Sequence, residues 1–153
     1  MDFTRLDRGE IIAAVGGLLL AFSILLPWYS LGNSLTRLNV CAGPNHSCSG
    51  WHSLTILRYL LLAAAFAPAI LAWIIVRGHA LSWPRGELTA ITALAALTFI
   101  IFRGIIDKPG SPAGEISIDY GWFVALLGGL LILAGSIWRA REGAARKKPP
   151  GVL

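Results

Sequence analysis

Two cysteines and two histidines form the first group of residues that could carry out chemistry. Cys41 and Cys48 lie in the segment CAGPNHSC with His46, and His52 follows shortly afterwards. This set could bind zinc, act as a redox pair or form a structural disulfide. Zinc is disfavoured because six residues separate the cysteines, outside the usual spacing of about two to four. The turn-forming Gly-Pro-Asn between them favours a disulfide.

Two arginines within apolar stretches form the second group. Arg58 and Arg103 each lie about one turn from the end of such a stretch, so each can extend its guanidinium into the headgroup layer. Asp107 follows Arg103 by four residues, and Glu115 or Asp119 could reach Arg58. Arg58, Arg103, Asp107 and Asp119 therefore form a candidate outer-leaflet polar site for an anionic or polar ligand. The alternative is that both arginines only snorkel or pair with loop carboxylates.

Composition indicates the elements that must position these residues. The chain has 153 residues, of which 56% are hydrophobic and 14% charged, and its mean hydropathy is +0.68. These values are typical of a membrane protein rather than a soluble domain. A helix of about 19 residues crosses the roughly 30 Å hydrocarbon layer. The sequence predicts a single all-α domain over 1–153, a transmembrane bundle of four helices at 11–29, 54–76, 88–106 and 120–138.

The distribution of basic residues predicts the orientation of these helices. Nine of the thirteen lysines and arginines lie in the N-terminus, the second connection and the C-terminal tail, 139–153. By the positive-inside rule both termini are cytoplasmic, in a multi-pass protein of the cell membrane whose first helix is retained rather than cleaved as a signal peptide. Residues 30–53 and 107–119 are then outer loops, the first with a short hairpin around 35–40. An outer location favours a static Cys41–Cys48 disulfide over the redox pair.

Small residues at four-residue spacing predict where helices pack closely. They give the first and fourth helices one small face each, which lets backbones approach. We expect neighbouring helices of one bundle to use these faces, with homo-oligomerisation as the alternative. The residues are Ala13, Gly17, Ala21, Gly121, Ala125 and Gly129.

Several short motifs resemble a group of small four-helix membrane proteins of actinobacteria. They are LPWYS at the end of the first helix, SGWHSLTILRYLLL at the start of the second, FRGIIDKPG after the third, and YGWFVALLGGLLILAGSIWRAR. The resemblance covers nearly the whole chain. It implies an integral membrane protein, and no established activity comes with it.

Two weaker resemblances concern the architecture alone. Four helices with a cysteine pair in the first outer loop and an arginine just after it are similar to quinone-linked disulfide oxidases of the DsbB type. That resemblance implies electron transfer from Cys41 and Cys48 to a quinone near Arg58. The spacing here is CxxxxxxC rather than CxxC, and the second outer loop has no cysteine. Claudin-like proteins share the loop cysteines, but their tryptophan motif precedes the pair, whereas Trp51 follows it.

The sequence contains no GxSxG, phosphate-loop or HExxH motif, so no soluble-enzyme chemistry is indicated. We expect a non-catalytic accessory or scaffold protein without metal or cofactor, which presents its stapled outer loop to a membrane-protein partner or the envelope. The alternatives are a quinone-linked thiol oxidoreductase and an oligomeric pathway for ions or small molecules. The basic tail RAREGAARKKPP favours contact with anionic lipid of the bilayer over nucleic acid.

Overall fold

The computed structural model describes residues 7–32, 37–38, 41–42, 46–77 and 86–146. Within these ranges the chain is mostly helical. Arg5, the connection at 78–85 and the tail after Arg146 lie outside the described residues, and so do parts of the first predicted outer loop.

Four long α-helices and one short α-helix make up most of the part of the chain that the structure describes. Three of the long ones are long and apolar enough to cross a membrane, with candidate spans Leu57–Ile74, Glu87–Ile106 and Tyr120–Glu142. The remaining long helix, α1, has 16 residues. The helices are α1 (Arg8–Ser23), α2 (Gly50–Ser53), α3 (Leu57–Val76), α4 (Glu87–Ile101) and α5 (Tyr120–Arg146).

The first helix ends earlier than the predicted range 11–29. The backbone N–H groups of Leu25 and Leu26 still bond to carbonyls three residues back, each at 3.0 Å. Pro27 then has no N–H for a further helical bond, and the chain continues as strand β1 (Pro27–Leu31). The apolar residues after Ser23 therefore form a turn at 24–26 and then the strand, rather than a continuation of the helix.

The other boundaries differ less from prediction. The helix predicted at 54–76 begins at Leu57, after α2, and the one predicted at 120–138 continues to Arg146. The helix predicted at 88–106 changes at Phe102 into a π-helical turn, Phe102–Ile106. The Ile100 carbonyl at this change accepts a hydrogen bond from Trp122 Nε1 at 2.8 Å, so the irregular backbone remains satisfied.

The long helices contact one another in the cyclic order α1, α3, α4, α5, and the α1–α5 seam is the most extensive. Its backbones approach closely at glycines. A Cβ built on Gly16 would lie 2.7 Å from the Gly128 carbonyl oxygen and 2.7 Å from the Ile132 nitrogen. Among small residues of the predicted first-helix face, Ala13 lies at this seam beside Gly135.

The remaining small residues contact other neighbours. Gly17 faces the Ala65 carbonyl of α3, and Gly129 faces the Leu97 side chain of α4. Gly121 contacts the Pro27 carbonyl and Trp28 of β1. The predicted small faces are thus divided among several neighbours within the chain. Ala125 is fully buried and Ala21 is partly buried against the core.

A small antiparallel sheet covers one end of the helices. Its order is β4–β1–β5, with β4 at Ser47–Ser49 and β5 at Ile116–Ile118. A two-residue hairpin pairs β2 (Arg37–Leu38) with β3 (Cys41–Ala42), close to the predicted hairpin around 35–40. We call this sheet and hairpin the cap.

At the opposite end, a buried ion pair joins α1 to α5. Oε1 of Glu10 lies 3.9 Å from Nε of Arg139, and both side chains are only 4% exposed. Oε2 of Glu10 also accepts a hydrogen bond from the Asp7 N–H at 3.2 Å, as part of a capping box. Glu10 therefore has a buried partner as well as its place in the first turn of α1.

Candidate functional site

The two cysteines form a disulfide that joins β3 to β4 within the cap. The Sγ atoms of Cys41 and Cys48 are bonded, with the Cα atoms 5.9 Å apart. Cys48 is fully buried, whereas Cys41 is only partly buried. The bond uses both thiols, so neither remains as a thiolate ligand for zinc.

The two loop histidines lie outside any cluster of metal ligands. His46 and His52 are exposed, and His52 Nδ1 lies 2.9 Å from the Ser49 hydroxyl. Across 7–32, 37–38, 41–42, 46–77 and 86–146 the structure shows no group of three or more potential metal-binding side chains.

Trp28 and Tyr29 attach the cap to the helices. Both side chains are fully buried. Trp28 Nε1 donates to the Ser23 carbonyl at 2.7 Å, and the Tyr29 hydroxyl donates to the Arg103 carbonyl at 2.9 Å. Burial raises the pKa of the Tyr29 hydroxyl well above its ordinary value. Tyr29 is also the register partner of Cys48 in β4 and of Ile118 in β5, so one strand connects the disulfide to the helix ends.

Arg58 contacts two aromatic rings. Its guanidinium carbon lies 4.6 Å from the ring centroid of Trp51 and 4.8 Å from that of Tyr59. Nη1 donates to the Trp51 carbonyl at 2.8 Å, and Nη2 donates to the Tyr59 hydroxyl at 3.1 Å. Helix α2 holds Trp51 over the first turn of α3. The predicted approach of Glu115 or Asp119 is thus replaced by cation–π contacts.

Arg103 and Asp107 form an ion pair four residues apart. Arg103 Nη1 lies 2.5 Å from Asp107 Oδ2, and the side chains are 36% and 56% exposed. Asp119 lies at the start of α5, and its Oδ1 accepts a hydrogen bond from the Tyr120 N–H at 2.8 Å. Of the four predicted polar-site residues, the structure therefore joins only Arg103 with Asp107.

The Arg103–Asp107 pair lies on the rim of a groove between α3 and α4, next to the cap. The groove has a volume of about 640 Å³, within the roughly 300–1,000 Å³ of typical small-molecule sites. Its walls combine apolar side chains from both helices with a charged rim. Arg58 is not among the residues that line it. The residues that line the groove include Leu57, Leu60, Phe99, Phe102, Arg103, Asp107 and Lys108.

Lys108 is the rim residue that sequence reasoning left out. Its Nζ donates to the Ile116 carbonyl of β5 at 3.1 Å, which holds it beside the Arg103–Asp107 pair. The signal in the sequence was its position directly after Asp107 at the end of an apolar stretch.

Comparison with known proteins gives no relative: no protein family, no curated protein and no solved structure matches the chain.

Proposed function

We propose that this chain is a four-helix integral membrane protein without catalytic activity, which presents its disulfide-linked outer cap to another component of the cell envelope. The observation that carries the proposal is the burial of Cys48. A disulfide that exchanges electrons with a partner must expose a sulfur to attack by a thiolate. Cys41 is only partly buried, but complete burial of Cys48 within the β4–β1 pairing closes one of the two sulfurs to attack, which supports a static bond.

The apolar outer surface of α1 supports its assignment as a fourth membrane span. Five large apolar side chains project from α1 and the turn after it at spacings of three or four residues, and each is 46–71% exposed. Water would make such a stripe unfavourable, whereas lipid would solvate it. A 16-residue helix is about 24 Å long, so slight bilayer thinning would accommodate it. The five are Ile11, Val15, Leu18, Phe22 and Leu25.

The orientation proposed for the bundle places the cap outside the cell and both termini in the cytoplasm. Arg77, Arg139 and Arg141 lie at the ends of α3 and α5 that are remote from the cap. Their position agrees with the positive-inside rule. The basic tail would then contact anionic lipid of the inner leaflet rather than nucleic acid. We also propose that the chain belongs to the group of small actinobacterial membrane proteins that it resembles.

Thiol trapping in native membranes tests the static disulfide. Membranes are quenched with acid, free thiols are blocked, and disulfides are then reduced and labelled with a mass tag. We expect two tags on every molecule, whether cells grow with or without oxygen. A population with blocked thiols that varies with growth conditions would instead support a quinone-linked oxidoreductase. The variant Ser117→Cys, with one exposed thiol on β5, controls for completeness of blocking.

Site-specific photo-crosslinking tests the presentation of the cap. A photoreactive residue replaces Trp51, which is 37% exposed at the cap, or Leu127, which is 53% exposed on α5. We expect a protein adduct of defined mass from position 51 and only lipid adducts from position 127. Equal adducts from both positions would contradict a specific role for the cap.

A further inference from the structure

The four helix seams differ in how closely their backbones approach. Glycines bring α1 and α5 together, whereas α3 and α4 have the least contact of the four adjacent pairs. Large side chains face the α3–α4 seam at its outer end, including Leu57 and Leu60 on α3 and Phe99 on α4. The groove of about 640 Å³ lies at this seam.

The lining of the groove changes from apolar to charged towards the cap, which is the order expected for a groove that runs from the hydrocarbon layer to the outer interface of the proposed bundle. Leu60 and Phe99 lie deeper along their helices than the rim residues Arg103, Asp107 and Lys108. The deep part is apolar and the rim is charged. An amphiphile with a hydrocarbon chain and a polar head at the outer interface has the same order of polarity.

The charges of the rim select among possible heads. Arg103 and Lys108 are cationic and Asp107 is anionic, so the rim carries a net charge of about +1, which complements a phosphodiester monoanion. Arg103 uses Nη1 for Asp107, and Lys108 uses one bond for the Ile116 carbonyl. Because a guanidinium has five N–H donors and an ammonium three, donors remain for phosphate oxygens.

We propose that this groove binds one anionic glycerophospholipid of the outer leaflet. One acyl chain lies along Leu57, Leu60 and Phe99, and the phosphodiester accepts hydrogen bonds from Arg103 and Lys108. Asp107 holds Arg103 in place. Arg58 takes no part, because its guanidinium is stacked on Trp51 and Tyr59 outside the groove.

Native mass spectrometry of the purified full chain tests the proposal. The delipidated protein in detergent is titrated with phosphatidylglycerol, phosphatidylcholine, dihexanoyl phosphatidylglycerol or inorganic phosphate. We expect one tightly bound phosphatidylglycerol, and weaker binding of the other three probes. Arg103→Gln/Lys108→Gln should weaken this binding about 30-fold, which is roughly 2 kcal/mol at about 1.4 kcal/mol per tenfold. The control Arg58→Gln/Arg77→Gln removes the same charge outside the groove and should leave binding within about twofold of wild type.

A second pair of variants tests the apolar wall. Leu60→Trp fills the groove, whereas Leu127→Trp adds the same bulk to an exposed position on α5. We expect lipid binding to fall only in Leu60→Trp, with both variants retaining the wild-type unfolding midpoint. These variants leave the rim intact, so they separate acyl-chain binding from headgroup binding.

Several outcomes would overturn the proposal. Equal binding by wild type and Arg103→Gln/Lys108→Gln would exclude the rim, and equal binding of phosphatidylcholine would exclude selection of an anionic head. Binding of dihexanoyl lipid or inorganic phosphate as tight as that of the long-chain lipid would indicate a headgroup site without an acyl chain. Lipid binding at the groove depends on membrane insertion but not on a static disulfide. Thiol trapping therefore distinguishes a failure of the proposed function from a failure of the lipid-binding proposal.

Discussion

The buried ion pair between Glu10 and Arg139 gives the sharpest prediction about stability. Glu10→Gln keeps the shape of the side chain and an oxygen for the Asp7 N–H, but it removes the charge that faces Arg139. Both side chains of the pair are 4% exposed, so the substitution removes a negative charge beside the guanidinium where water cannot replace it. Breaking a buried ion pair by removing one partner typically costs about 3–5 kcal/mol.

The size of the effect follows from a double-mutant cycle. We expect Glu10→Gln and Arg139→Met each to lower the free energy of unfolding by about 3 kcal/mol. In Glu10→Gln/Arg139→Met both charges of the pair are removed together, so the loss should stay near 3 kcal/mol rather than reach about 6. The coupling energy is thus about 3 kcal/mol, at the upper end of values for interacting neighbours.

Equilibrium unfolding in mixed micelles, with SDS as the denaturant, measures these free energies. Glu87→Gln is the control, because Glu87 also lies in the first turn of a helix, α4, but is exposed. This control should lower the free energy of unfolding by at most about 1 kcal/mol, which is what the favourable interaction of a first-turn carboxylate with the helix dipole contributes. If Glu10→Gln costs no more than Glu87→Gln, or if the two single losses simply add, the ion pair does not stabilise the α1–α5 contact.

Three further predictions concern the cap and the helix seam. Cys41→Ala/Cys48→Ala should lower the stability of the cap by about 2.5 kcal/mol in the chain-entropy model, seen as faster amide exchange in β1 and β4 with unchanged exchange in α3 to α5. Because burial raises the pKa of Tyr29 in the folded state, the unfolded chain loses that proton first as pH rises above about 10, and stability should fall there in wild type but not in Tyr29→Phe. Gly16→Leu should cost about 1–3 kcal/mol in micelle unfolding, whereas Gly114→Ala, with nothing within 4 Å of its built Cβ, should be neutral.

Sequence patterns predicted the features that depend on local composition. The apolar stretches gave the helices α3, α4 and α5 to within a few residues, except at the C-terminus of α5. The disulfide followed from the turn residues between Cys41 and Cys48 and from the expected outer location. The Arg103–Asp107 contact followed from their spacing of four residues along a helix.

Features that join distant parts of the chain were not predictable in the same way. Strand β5 pairs with β1 although Ile118 and Tyr29 are far apart in sequence, and each strand is too short to show a clear alternating pattern. The apolar residues of β1 therefore resembled the end of a membrane helix. Glu10 and Arg139 each have an ordinary local role at a helix end, so neither signalled the other. The groove depends on how two helices diverge, which periodicity does not determine.

Cysteine-labelling topology tests the central claim most directly. Ser117→Cys places one free thiol in the exposed part of the cap, and Arg77→Cys places one at the opposite end of α3, with the native disulfide intact in both. A membrane-impermeant maleimide should label the Ser117→Cys protein in intact cells and the Arg77→Cys protein only after lysis. The reverse pattern, or labelling of both positions in intact cells, would contradict an outer cap on a bundle that crosses the membrane.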